Sequence, residues 1–107
     1  FRRVLFRSTP VRSALAPDLP TIDESGIKGF TGGTWFGVLA PARTPGAVVT
    51  RLNAEMVRIL RAPDAVAAFL DRGIEPAPMS PQEFRSFIDA ETGKWVKVAR
   101  EAGIKPE

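Results

Sequence analysis

The amino-acid sequence predicts a small α/β fold with one buried strand, one short edge strand and three main helices. The buried strand is indicated by TWFGVLA at residues 34–40, a nearly continuous apolar run rich in residues of high β propensity. The helices are indicated by apolar residues that recur every three or four positions behind Thr44, Pro63 and Ser80. A length of 107 residues is enough for one small domain with a modest core.

The excess positive charge is concentrated at the start of the chain. Lys and Arg number 15 against 12 Asp and Glu, and three arginines lie in the first eight residues, FRRVLFRS, which contain no acid. The other basic residues alternate with acids, whereas nucleic-acid-binding proteins gather Lys and Arg on one face with aromatic residues between them. No apolar run approaches the roughly 20 residues that cross a bilayer. We therefore expect no nucleic-acid binding and no direct membrane insertion.

Residue types that commonly carry catalysis or bind metals are scarce. The sequence has no His and no Cys, so it lacks the usual general base, the thiolate nucleophile and the nitrogen and sulfur metal ligands. The adjacent carboxylates Asp23 and Glu24 are predicted to point apart on a helical turn, so they do not predict a shared acid–base site. We expect no enzymatic activity, no cofactor and no metal site.

The first 33 residues predict little regular structure. Residues 1–8 differ in composition from the rest, and we interpret them as a sequence-end artefact or a foreign junction that replaces a native strand. Residues 9–33 are predicted to be a loop with one short helix, because three prolines disfavour longer elements there. The pattern T-x-x-E at Thr21 and Glu24 predicts a capping box and about one turn of helix. Gly26 is predicted to end that turn.

A bend, the buried strand and the start of the first helix follow in order. Gly32 and Gly33 favour a bend or hinge over a phosphate cradle, because a cradle needs a strand, a Gly-rich turn and a helix in that order. After the strand at residues 34–40, Thr44 is predicted to be the N-cap of a helix. Pro45 would then occupy the first helical position, where its missing N–H is tolerated.

The first helix is predicted to pack along a single apolar stripe and to expose its other side. The stripe consists of Val49, Leu52, Met56 and Ile59 or Leu60. The residues predicted to face water are Arg51, Asn53, Glu55 and Arg58. We expect the stripe to be core packing and not a ligand surface.

The second helix and a second extended segment come next. The helix is predicted to begin after Pro63 and to end at Gly73. Residues 74–79 are predicted to be extended, and their two prolines favour an edge strand or a strapped segment.

The third helix has the strongest predicted start and end. The pattern S-x-x-E at Ser80 and Glu83 predicts a capping box, and Gly103 with Ile104 predicts a Schellman end. Its apolar side is predicted to be Phe84, Phe87, Ile88, Trp95, Val98, Ala99 and Ala102. Its solvated face is predicted to be Asp89, Glu91, Lys94, Lys97, Arg100 and Glu101.

Four motifs follow one another in the order of a known family. The first is Pro-Thr-x-x-Glu-x-Gly, met by Pro20, Thr21, Glu24 and Gly26. The second is a Trp-x-Gly strand followed by Ala-Pro-x-x-Thr-Pro, met by Trp35, Gly37, Ala40, Pro41, Thr44 and Pro45. The third is Leu-Asn-x-Glu, met by Leu52, Asn53 and Glu55. The last is Lys-Trp with a later Ala-Gly-Ile, met by Lys94, Trp95, Ala102, Gly103 and Ile104. From about residue 9 to residue 107 the chain resembles the C-terminal portion of the Bug family, the extracytoplasmic solute receptors of tripartite tricarboxylate transporters.

The resemblance implies the C-terminal part of a two-lobed periplasmic-binding-protein fold of the type II-like kind. Residues 9–33 would be a remnant of the second lobe, and residues 34–107 would be the crossover strand and helices of the first lobe. The implied protein is periplasmic, with its signal peptide outside this sequence, and presents a small carboxylated solute to membrane subunits of the transporter. Thr34, Trp35 and Phe36 would lie near the ligand cleft, either touching the ligand or forming a hinge.

Two hypotheses of different classes follow from the sequence. The first is a truncated solute-binding protein whose apolar faces pack against a sheet encoded elsewhere. The alternative is a free-standing small α/β protein-interaction module that buries those faces on itself or on a partner. Cooperative unfolding of a monomer would favour the module, and aggregation or molten behaviour would favour the receptor fragment.

Overall fold

The computed structural model describes residues 6–104, and its helices all follow residue 45. The helices are α1 at Gly46–Leu60, α2 at Pro63–Leu70 and α3 at Pro81–Glu101. The chain divides into two compact units, a loop unit at Phe1–Leu39 and a helical unit at Ala40–Glu107. Within the described residues, none of the helices combines the length and the apolar content that crossing a bilayer requires.

The loop unit is held by backbone hydrogen bonds around Arg7, which forms an isolated parallel bridge. The Arg7 N–H donates to the Pro20 carbonyl at 3.0 Å, and the Ile22 N–H donates to the Arg7 carbonyl at 2.9 Å. Our interpretation of residues 1–8 as an artefact or a foreign junction stays a prediction, and the first five of them lie outside the described residues.

The predicted capping box at Thr21 and Glu24 is present, but it opens a turn and not a helix. The Glu24 N–H donates to Thr21 Oγ1 at 3.1 Å, and the Thr21 N–H donates to Glu24 Oε2 at 2.8 Å. The turn closes at Gly26, whose N–H donates to the Asp23 carbonyl at 3.2 Å and whose φ is 116°. A φ of this size favours glycine, so the prediction that Gly26 ends the element is confirmed.

The prediction of a buried strand at residues 34–40 is wrong. The described residues contain no strand beyond the single bridge at Arg7, and Phe36, Val38 and Leu39 are 84%, 70% and 72% exposed. High β propensity yields a strand only when a neighbouring strand pairs with its backbone. Among residues 6–104, the backbone of residues 36–39 makes no hydrogen bond. Residues 34–40 therefore have a high β propensity, but the described residues contain no strand that pairs with them.

The predicted edge strand at residues 74–79 does not form within the described chain either. Its two prolines have no N–H to donate to a ladder, and its ends are tied to helices instead. The Ile74 N–H donates to the Phe69 carbonyl at 3.0 Å. The Asn53 amide of α1 donates to the Met79 carbonyl at 2.9 Å. Asn53 is therefore half-buried, and the prediction that it faces water is wrong.

α1 begins at Gly46, one residue later than predicted. The N-cap is Pro45 and not Thr44, because Pro45 takes the extended backbone of a cap residue, with φ −57° and ψ 137°. The Thr44 N–H donates to the Pro41 carbonyl at 2.9 Å and closes a turn before the helix. In the described chain, no side-chain oxygen caps α1.

The predicted apolar stripe of α1 has two parts with different surroundings. α1 contacts both α2 and α3, and its half-buried inner side includes Val49, Met56 and Leu60. Leu52 and Ile59 are 52% and 50% exposed. At about 100° of rotation per residue, they lie on an adjoining outer side of the helix. The prediction of one uniformly covered stripe is therefore wrong for its outer half.

α2 and α3 both end in the glycine motif that the sequence predicts. Gly73 has a φ of 74°, and its N–H donates to the Leu70 carbonyl at 2.9 Å. Gly103 has a φ of 70°, and its N–H donates to the Arg100 carbonyl at 3.2 Å. In each case the N–H of the next residue closes the longer bond of a Schellman motif.

The predicted capping box of α3 is confirmed. The Glu83 N–H donates to Ser80 Oγ at 3.2 Å, and the Ser80 N–H donates to Glu83 Oε2 at 2.7 Å. Pro81 occupies the first helical position, where its missing N–H leaves no intrahelical bond unmade.

The apolar side of α3 changes its exposure along the helix. Phe84, Phe87 and Ile88 are half-buried, and the two phenylalanine rings stack with centroids 6.3 Å apart. Trp95 and Val98, on the same side, are 49% and 43% exposed. Among residues 6–104, no hydrophobic side chain is fully buried. The predicted apolar side is thus partly covered at Phe84, Phe87, Ile88 and Ala99 and exposed at Trp95, Val98 and Ala102.

Two residues that the sequence assigns to the solvated face of α3 are partly covered. The side chains of Glu91 and Lys94 are 18% and 28% exposed, and they form an ion pair. Glu91 Oε2 also accepts a hydrogen bond from Trp95 Nε1 at 3.0 Å. The spacing of three and four residues in the sequence was the available signal for these contacts.

Candidate functional site

The predicted ligand-contacting residues Thr34, Trp35 and Phe36 lie together at the surface of the loop unit. We call these three residues the candidate segment. Phe36 is more exposed than Trp35, at 84% against 43%. A hydroxyl beside two aromatic side chains offers one polar contact and an apolar surface, which is the chemistry of small-molecule binding. None of the three is an activated nucleophile or an acid that titrates near neutral pH.

The backbone before the candidate segment is anchored at two glycines. Gly29 has a φ of 74°, and its N–H donates to the Asp23 carboxylate at 2.6 Å. The Gly32 N–H donates to the Ser8 carbonyl at 2.9 Å, and a Cβ at Gly32 would lie 3.4 Å from the Phe30 ring. These hydrogen bonds anchor the backbone just before the candidate segment.

A cluster of polar side chains, two of them buried, surrounds the capping box of the loop unit. Thr21 and Ser13 are each 2% exposed, and Ser13 Oγ accepts a hydrogen bond from the Leu15 N–H at 3.1 Å. Arg12 Nε donates to both carboxylate oxygens of Glu24, at 3.0 and 3.2 Å. We call these residues the Thr21 cluster. Its contacts tie one loop to another, so we assign it a structural role. The sequence predicts the capping box but carries no spacing signal for Arg12 or Ser13.

Hydrogen bonds lower the pKa of both carboxyl groups in the turn. For Glu24 the main cause of the lower pKa is the Thr21 backbone N–H, and the Arg12 guanidinium adds to it. For Asp23 the main cause of the lower pKa is the Gly29 backbone N–H. The two carboxylates have different partners, as predicted for neighbours that point apart. Groups held ionised in this way are unsuited to general acid catalysis at neutral pH.

Neither a metal site nor an enclosed pocket is found in the described residues. No group of three or more acidic side chains within residues 6–104 is placed to hold a metal ion. A shallow groove of about 410 Å³ is lined by Ala47, Val48, Arg51, Leu52 and Glu55. All five belong to α1, so the groove is the outer face of one helix and lacks the converging polar groups of a binding pocket.

Comparison with known proteins establishes the family of the chain. The family model described as "Tripartite tricarboxylate transporter family receptor" matches residues 3–104. The chain belongs to this family. The description of the family is that of a receptor.

Two relatives and one solved structure show how much of a receptor the chain represents. It is 35% identical to BugT of Bordetella pertussis over 88% of this chain and 29% of BugT. It is 43% identical to a UPF0065 protein of Pseudomonas sp. strain P51 over 77% of this chain and 25% of that protein. The structure of R. palustris Rpa4515 with adipate matches with a TM-score of 0.79 and 37% identity, over 96% of this chain and 34% of Rpa4515.

These matches confirm the resemblance to the Bug family. They also show that the chain spans between a quarter and about a third of the length of the proteins it matches. The fold of the chain matches about a third of Rpa4515.

Proposed function

We propose that this chain is part of an extracytoplasmic receptor that captures a small carboxylated solute in the periplasm for uptake by a tripartite tricarboxylate-type transporter. The observation that carries the proposal is the likeness to Rpa4515, whose structure is with adipate, over 96% of this chain. Adipate is a dicarboxylate with an aliphatic chain between its two charged groups. We infer that the solute belongs to the same chemical class.

In the proposed receptor the chain contributes to both lobes of a two-lobed fold. Residues 9–33 belong to the second lobe, and residues 34–107 belong to the first. The candidate segment then lies where the polypeptide passes from one lobe to the other. A cleft between lobes that close on each other is where receptors of this general design hold their ligands.

The candidate segment has the groups that a small carboxylated solute requires. The Thr34 hydroxyl can donate a hydrogen bond to a carboxylate, and bonds to charged groups are stronger than bonds between neutral groups. The rings of Trp35 and Phe36 are accessible and can cover the aliphatic part of the solute. We therefore propose that the three residues contact the solute directly.

Binding is best measured in a receptor of full length. We define the hybrid receptor as Rpa4515 in which the third that matches this chain is replaced by this chain. Calorimetry should show that the hybrid receptor binds adipate or another small dicarboxylate. Thr34→Val and Phe36→Ala should each weaken binding by about tenfold or more, because each removes a direct contact worth about 1.4 kcal/mol.

The controls are Thr50→Val and Val48→Ala, which remove a hydroxyl and apolar area from exposed positions of α1. Both should leave the dissociation constant unchanged. Unchanged binding in Thr34→Val and Phe36→Ala would rule out the candidate segment as a contact site. A folded hybrid receptor that binds no carboxylated solute would contradict the proposed function itself.

The proposed receptor passes its solute to the membrane subunits of the transporter. Vesicles that carry those subunits should take up labelled dicarboxylate only when the hybrid receptor is present. Equal uptake without the receptor would contradict this step. Membership of a receptor family favours this function over the free-standing interaction module.

A further inference from the structure

The last turns of α3 carry an apolar surface that we call the Trp95 face, formed by Trp95, Val98 and Ala102. At about 100° per residue these positions continue the line of Phe84 and Ile88 along one side of the helix. The earlier pair is half-buried, whereas Trp95 and Val98 are 49% and 43% exposed. One side of a single helix is therefore covered at its start and open at its end.

The Trp95 ring is held in place by its own helix. Its Nε1 donates to Glu91 Oε2 at 3.0 Å, and the Lys94 ammonium lies 5.1 Å from the ring centroid. Lys94 and Glu91 are also paired with each other, so the charges next to the ring cancel. A side chain that is ordered before binding loses less conformational entropy when it is covered.

The polar atom of the Trp95 ring already has a partner. Covering the ring would therefore leave no buried N–H without a hydrogen bond, which is the usual penalty for burying tryptophan. Because the neighbouring charges are balanced, the complementary surface needs no charge of its own. The chemistry of the Trp95 face fits an uncharged aliphatic or aromatic surface.

We propose that the Trp95 face is a docking surface for the remainder of the receptor polypeptide, the two thirds that this chain does not contain. The chain keeps the fold of Rpa4515 over 96% of its own length while matching 34% of that protein. About twice as much polypeptide therefore lies outside the equivalent part of Rpa4515. Every hydrophobic side chain of the described residues is at least partly exposed to solvent. Such exposure is expected when part of a protein is separated from the surface against which it packs.

The test compares two positions of α3 in the hybrid receptor and in the isolated chain. Trp95→Gln removes the proposed anchor, and Val96→Gln is the matched control, because Val96 is 52% exposed and lies about 100° around the helix. In the hybrid receptor, Trp95→Gln should lower the melting temperature by about 4 °C or more, and Val96→Gln by about 1 °C or less. In the isolated chain the two substitutions should change the thermal unfolding curve to the same extent.

Trp95→Phe keeps the proposed measurement usable if Trp95→Gln prevents folding. It retains an aromatic ring but loses part of the apolar area, so it should lower the melting temperature of the hybrid receptor more than Val96→Gln does and less than a Trp95→Gln protein that folds. Equal melting temperatures for Trp95→Gln and Val96→Gln in the hybrid receptor would overturn the proposal. Concentration-dependent dimers of the isolated chain that Trp95→Gln abolishes would overturn it in favour of a second copy as the occupant. Adipate binding is measured separately. If the hybrid receptor binds no adipate, the melting temperatures of its variants still test the docking surface.

Discussion

The Thr21 and Ser80 capping boxes share their local geometry and differ in what they begin. In each box the glutamate N–H donates to the cap hydroxyl, at 3.1 and 3.2 Å, and the cap N–H donates to the glutamate carboxylate, at 2.8 and 2.7 Å. The first box opens a turn that Gly26 closes, and the second opens the 21 residues of α3. A capping box thus sets where an element starts, whereas the residues that follow set its length.

The two boxes also differ in their surroundings. Thr21 is 2% exposed, and the carboxylate that it binds also accepts two hydrogen bonds from Arg12 of another loop. The bonds of the Ser80 box described above lie within the start of α3. The same sequence signal therefore acts as a junction between loops in one unit and as a local helix start in the other.

The largest expected effect comes from removing the hydroxyl of the buried box. Thr21→Val keeps the size of the side chain but removes the hydroxyl of a buried residue, which accepts the hydrogen bond of the Glu24 N–H. We expect the free energy of unfolding of the hybrid receptor to fall by about 2 kcal/mol. Urea unfolding measures this value, with the exposed Thr50→Val as the control. A loss no larger than that of Thr50→Val would show that the Thr21 cluster is not a junction.

A smaller effect is expected at the box of α3. Ser80→Ala removes the acceptor of the Glu83 N–H, but water can reach this helix start, so the loss should be about 1 kcal/mol. Ser86→Ala, at an exposed position within the same helix, should be neutral or slightly stabilising. A Ser80→Ala loss equal to that of Thr21→Val would remove the distinction between the two boxes.

The smallest expected effect is the response to acid. Backbone hydrogen bonds from the cap residues are the main cause of the lowered pKa values of Glu24 and Glu83, below the ordinary 4.5. A carboxyl group with a lowered pKa in the folded state stabilises the fold above 4.5, and this contribution is lost as the pH falls through the folded-state pKa.

The acid response separates the two boxes because Arg12 lowers the pKa of Glu24 further. The free energy of unfolding of the hybrid receptor should therefore fall less steeply with decreasing pH after Glu24→Gln than after Glu83→Gln. Added salt should narrow the difference, since the side chains of Arg12 and Glu24 are about half exposed, at 49% and 45%. Urea unfolding between pH 3 and pH 6 measures both profiles. Identical profiles would contradict the role given to Arg12.

The features that the sequence predicts correctly are those decided by a few neighbouring residues. Both capping boxes depend on a hydroxyl and a glutamate three positions apart, and the ends at Gly73 and Gly103 depend on glycine in the left-handed region. These interactions form within one turn of the backbone. They can therefore be recognised without knowing what lies nearby.

The features that the sequence predicts wrongly depend on groups far along the chain. The strand at residues 34–40 needs a pairing partner, and the outer side of α1 needs a covering surface, so propensity and periodicity alone mispredict both. The contact from Arg12 to Glu24 links two loops and leaves no periodic trace. The assignment of Thr34, Trp35 and Phe36 to a ligand site stays a prediction, which rests on the resemblance to a receptor family.

The most direct test asks whether the isolated 107-residue chain folds cooperatively without the rest of a receptor. Calorimetry measures the sharpness and enthalpy of its thermal unfolding, and a dye that binds exposed apolar surface is added in a separate measurement. We expect a broad transition of low enthalpy with strong dye binding, and a sharp transition without dye binding in the hybrid receptor. A monomeric isolated chain that binds no dye and unfolds in one sharp transition, with an enthalpy on the order of 70 kcal/mol, would contradict this view.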